Sequence, residues 1–126
     1  MTITVYRWQD KDGRGPYRPG TTQFWADADN QAKNPAFYRE FGMDIVWQRR
    51  PREVLGCAFR TIEQMNRWFT EDEQLRMRLL GYEFGTLEAD RILAESERQL
   101  VFACRRPLTD DFHAIEAEQT SSTVPR

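Results

Sequence analysis

The chain has 126 residues, 40% of them hydrophobic and 30% charged, with a net charge of -2. That size predicts one domain with enough interior to fold without staples, the composition excludes a disordered chain, and the charge excludes a global field for nucleic acid. Its apolar runs stop short of the ~18 residues a membrane helix needs, and MTITVYRW lacks a signal-peptide layout, so a cytoplasmic protein with no membrane partner is expected.

Residues 2 to 8 alternate, with Ile3, Val5 and Arg7 on one parity and Thr2, Thr4, Tyr6 and Trp8 on the other. β-branched and aromatic side chains dominate, which predicts a first strand. DGRGPYRPG, residues 12 to 20, must end it. Asp12-Gly13 reads as a tight turn, and Pro16 and Pro19 fix φ just beyond. Residues 21 to 52 mix turn formers with large aromatics. Within them PAFYREFG predicts a short helix, with Pro35 in its first turn and Gly42 as its C-terminal cap. DIVWQ reads as a short strand, and RRPR at 49 to 52 as a solvated bend rather than a phosphate contact.

VLGCAF, from residue 54, is an apolar run of strand length. Thr61-Ile62-Glu63-Gln64 fits a capping box that opens a helix. Ile62, Met65 and Phe69, with Trp68 beside them, keep helical spacing. Thr70-Glu71-Asp72-Glu73 repeats the signal, so a second helix starts there, with Leu75, Leu79 and Leu80 as its apolar face and Gly81 at its end. YEFGTLEA alternates as a half-buried strand, ESERQ is a charged turn, and QLVFACRR is the last strand, with Leu100, Phe102 and Cys104 on one face. Trp8, Trp47, Trp68 and Phe69 are expected in the core. After Pro107, Thr109 caps a short helix with Phe112 and Ile115 inward, and a frayed tail follows. This order predicts a single α+β domain over residues 1–107, with a C-terminal helix and flexible tail at 108–126. Its four- to five-stranded, mostly antiparallel sheet carries the helix pair on one face.

The reactive side chains are few. Cys57 and Cys104 sit in separate apolar runs; a disulfide could join them, but two buried thiols are expected of a leaderless chain. With His113 as the one histidine, no zinc spacing exists and no histidine-based triad is apparent. The carboxylates at Glu63, Glu71, Asp72, Glu73, Asp110 and Asp111 occupy helix starts and turns, where they favour the dipole. GRG lacks the third glycine and following helix of a dinucleotide fingerprint. No catalytic residue, metal or cofactor is therefore expected.

Two resemblances add to this reading. Arg7 on the first strand, Phe59-Arg60-Thr61 closing a middle strand, and Glu95 to Gln99 before the last strand follow an order that resembles ADP-ribosyltransferase-like domains. That resemblance implies Arg7 as the NAD-holding group, Thr61 as the middle-strand residue, and Glu97 or Gln99 at the ribose-orienting position. Gln99 cannot serve there as a carboxylate. Over residues 5 to 105 the chain also resembles a family of small phage and prophage proteins. YR-x-x-D-x-x-G-x-G-P-Y, from Tyr6 to Tyr17, and the Trp68-Phe69 pair carry that likeness. It implies a mobile-element setting and, by analogy, a protein that binds and disables a host defence complex, anti-CRISPR in type.

The residues fit a docking role. Tyr17, between Arg14 and Arg18 on a proline-stiffened loop, brings side chains that dominate interface hot spots at a low entropic cost. Phe24 and Trp25 would enlarge that patch. Glu71, Asp72 and Glu73 would complement the basic surface of a nucleic-acid-holding effector. The expected partner is a host protein or ribonucleoprotein complex, with no direct sequence-specific nucleic acid contact. The alternative is an NAD-using ADP-ribosyltransferase-like enzyme or a degenerate relative.

Overall fold

A computed structural model describes residues 1–105; the expected helix with Phe112 and Ile115 lies outside them. β1 (Ile3–Gln9) forms as the alternation predicts and pairs antiparallel with β3 (Glu83–Ala89), placing Val5 opposite Leu87 and Trp8 opposite Phe84. β2 (Val54–Ala58), β4 (Arg91–Glu95) and β5 (Leu100–Cys104) make a second antiparallel sheet in the order β2-β5-β4. The described residues are thus α+β, as expected, with five strands divided between two sheets.

Two features of the backbone join the sheets. Asp90 alone separates β3 from β4, so the chain steps from one sheet into the other there. At the far end Tyr6 and Phe59 exchange a pair of backbone hydrogen bonds, each 2.8 Å. Val5, Leu87, Leu100 and Phe102 pack between the sheets. Leu55, Val101 and Ala103 face the other way, against Phe37, Ile45 and Val46. β5 is buried along its whole length, which is why it reads as a continuous apolar run.

The helix pair is α3 (Ile62–Trp68) and α4 (Glu71–Leu79), preceded by α1 (Ala28–Gln31) and α2 (Phe37–Phe41). Both expected capping boxes form: the Thr61 and Thr70 hydroxyls accept from the amides of Gln64 and Glu73, each at 3.1 Å. Gly42 and Gly81 close α2 and α4 at φ 90° and 101°, a left-handed region that suits glycine. Trp8, Met65, Trp68, Phe69 and Met77 build the core under the pair.

Several expectations are corrected. DIVWQ is not a strand but part of a 3-10 helix, Met43–Gln48. A strand would send the adjacent Ile45 and Val46 to opposite faces, whereas the tighter winding buries both. Trp47 is then left 80% exposed rather than in the core. On α3, Ile62 is exposed. On α4, Leu75, Leu79 and Leu80 are exposed, and Glu73 with Met77 faces inward. Two residues along a helix turn about 200°, so burying 73 and 77 pushes 75 and 79 outward. β4 escapes the alternation rule because Arg91 to Ala94 are all half-buried and a bulge between Ile92 and Ala94 shifts its register.

Candidate binding site

The loop after β1 folds back instead of projecting. Asp10 organises it: its carboxylate accepts from the amides of Asp12 and Arg14 at 2.9 and 3.0 Å, and Gly13 turns at φ 84°. The carbonyl of Pro16 accepts from the Trp25 indole at 3.0 Å. Trp25 itself is fully buried, edge-on to Tyr17 and Phe69 at 5.2 and 5.5 Å.

Tyr17 remains 44% exposed, yet its hydroxyl is committed to the interior. It accepts from Trp68 Nε1 at 2.6 Å and donates to Gln31 Oε1 at 2.7 Å. Burial around the hydroxyl pushes its pKa above the usual phenol range, and the Trp68 donor, which works the other way, does not cancel that. Gln31 Nε2 then donates to Glu73 Oε2 at 3.0 Å. Glu73 is fully buried and also accepts from the amides of Asp27 and Thr70 at 2.8 and 2.9 Å.

Between this loop, α2 and the end of α3 lies a cavity of about 350 Å³. Tyr17, Phe59, Trp68 and Phe69 wall one part, and Phe37 and Tyr38 another. Arg7 lines it from within, only 3% exposed, its guanidinium 5.0 Å from the Phe102 ring centroid. Two of its nitrogens reach the carbonyls of Cys57 and Gly13 at 3.4 Å. In so dry a place the cation–ring contact is worth about 2 kcal/mol. Gln99, also buried, donates to the Pro35 carbonyl and to Glu40, both at 3.0 Å. Beside its rings the described lining holds Arg7 and Arg14, three amides and the Cys57 thiol, with no carboxylate or imidazole among them. This is a surface for holding an apolar group near positive charge.

The expected site residues are therefore split. Arg14 and Tyr17 line the cavity. Arg18, Phe24, Glu71 and Asp72 are exposed. Trp25 and Glu73 are both fully buried, so neither can belong to a docking face as expected; a tryptophan beside turn formers and a carboxylate at a helix start gave no local sign of this. Of the residues read for NAD, Arg7 and Gln99 line the cavity, and Thr61 and Glu97 do not. Thr61 caps α3, and the backbone carbonyl of Glu97 accepts from Gln64 at 2.9 Å. Gln31, Asn34, Phe37 and Tyr38 were not singled out by any motif. The one hint was the long irregular stretch at 21 to 52, unusual inside a compact domain unless it serves a site.

Fold and site together define a small α+β domain with an aromatic, arginine-bearing pocket between its first loop and its helices. The chain belongs to the bacteriophage T4 Y00F protein family, whose model matches residues 1–114. The phage kinship expected from the Tyr6-to-Tyr17 string and the Trp68-Phe69 pair thus holds at the level of the family. Comparison with curated proteins and with solved structures gave no match. Among the described residues no helix is long and apolar enough to cross a membrane.

Proposed function

We propose that this phage protein binds a host defence complex one-to-one and inhibits it by covering an effector surface, in the manner of an anti-CRISPR protein. The observation that carries this reading is the cavity: rigid aromatic walls, locked by hydrogen bonds inside the chain, with an arginine at the lining, suit the capture of another molecule's side chain. Phe24, expected in the docking patch, is 59% exposed and available to a partner. Exposed Glu71 and Asp72 at the start of α4 supply negative charge for encounter with a basic effector surface.

The test is a titration. Purified protein is added to an RNA-guided nuclease complex from a host of the phage, and target cleavage is followed with and without NAD. Inhibition that saturates at one protein per complex and ignores NAD supports the proposal. Inhibition at trace ratios that requires NAD would instead favour an ADP-ribosyltransferase, with Arg7→Ala as the first variant to examine. No inhibition of any defence complex of that host would sink the inhibitor reading.

A further inference from the structure

Resting on that binding role, we infer that the cavity is the anchor pocket for an acidic segment of the partner protein that carries an aromatic side chain. The ring enters between Tyr17, Phe69 and Phe37, and a neighbouring carboxylate pairs with Arg14.

Three observations lead there. The first is size: about 350 Å³ is at the small end for ligand sites and suits one aromatic side chain with its flanking backbone. The second is charge. The chain as a whole carries -2, yet the charged side chains of the described lining are Arg7 and Arg14. Glu73 and Glu40 lie behind Gln31 and Gln99, a carboxylate oxygen of each engaged by those amides, so the charge presented at the lining itself is positive, against the sign of the molecule. Arg14 is held by its backbone, through Asp10, at 2.8 and 3.0 Å. Its guanidinium makes no hydrogen bond or ion pair among the described residues, which leaves its fork available for a carboxylate.

The third is the state of the amides. Gln31 and Asn34 already donate to Glu73 and to the Trp68 carbonyl, at 3.0 and 2.8 Å, and Gln99 to Pro35 and Glu40. A nucleobase is read through hydrogen bonds to its edges and would draw on such donors, most of which are already engaged. A phenyl ring needs only the walls, and those are pre-set by the Trp68–Tyr17–Gln31 bonds, so little ordering is lost on binding.

The probe is acetyl-Asp-Asp-Phe-amide, titrated into the full chain and followed by tryptophan fluorescence. Acetyl-Asn-Asn-Phe-amide, acetyl-Asp-Asp-Ala-amide and AMP serve as comparisons. Saturable binding is expected, weakened about tenfold by either peptide change and by Arg14→Glu at unchanged melting temperature. Added salt should weaken it as well. Equal binding of the uncharged peptide, tighter binding of AMP, or no binding would overturn the proposal. A Phe112→Ala variant that binds the probe about tenfold tighter than the parent would make the chain's own C-terminal segment the occupant. Self-association abolished by Arg14→Glu would make it a second copy; either result overturns a partner segment. The effector titration separates the two readings: inhibition that survives loss of probe binding sinks the anchor alone, and probe binding without inhibition sinks the inhibitor alone.

Discussion

The indole of Trp68 donates to the hydroxyl of Tyr17 at 2.6 Å, and that hydroxyl donates in turn to Gln31. The residue that looks most like a projecting anchor is thus one wall of a cavity, clamped by a helix 51 positions away. Tyr17→Phe keeps the ring but strands two partners, and should lower stability by about 1–2 kcal/mol, read as a lower urea midpoint. Burial also raises the pKa of this phenol. Its neutral form is favoured by folding, so its contribution is complete below the ordinary value of about 10 and declines as pH rises above it. Absorbance at alkaline pH should show a late phenol titration to which Tyr17 contributes, and Tyr17→Phe should diminish that late step.

Glu73 joins the first turn of α4 to α1, with both oxygens engaged in the interior. Glu73→Ala leaves several buried donors unmatched and should cost about 3–5 kcal/mol. Glu73→Gln, which retains one acceptor, should cost less. If thermal melts of the two variants match the parent, the buried network contributes nothing.

Glu53 and Arg91 form a two-pronged pair, at 3.0 and 2.7 Å, and Arg91 also donates to the Gln48 carbonyl at 2.6 Å. The Arg91 hydrogen bonds hold the Glu53 pKa down at about 2, against the desolvation that would raise it. A carboxylate held lower in the folded state stabilises above its unfolded pKa, about 4.3, and loses that contribution as pH falls through about 2. Stability should therefore drop across that acid window. Glu53→Gln should flatten the drop and, at neutral pH, cost about 2 kcal/mol.

α4 gives a direct check on which face is inward. Leu79→Lys, at a position 78% exposed, should change stability by no more than about 0.5 kcal/mol. Met77→Ala, at a fully buried position, should cost about 2–4 kcal/mol. Equal losses from the two would mean that the leucine face packs against something.

Signals that act within a few residues were legible in the amino-acid order. The strand at 3–9, both threonine caps, and the glycines that end α2 and α4 follow from local sterics and hydrogen bonding, so they survive any tertiary arrangement. The α+β class followed from their order. Contacts between distant segments had no such signature. Periodicity marks a stripe of leucines on α4, but only the α1 backbone and amides delivered to Glu73 make the opposite face the buried one. Likewise Tyr17 and the two prolines announce a stiff loop, while its inward turn depends on Trp25 and Trp68 arriving from elsewhere. The cavity exists because the first loop, α2 and α3 meet there, and chain entropy gives no local residue a reason to advertise such a meeting.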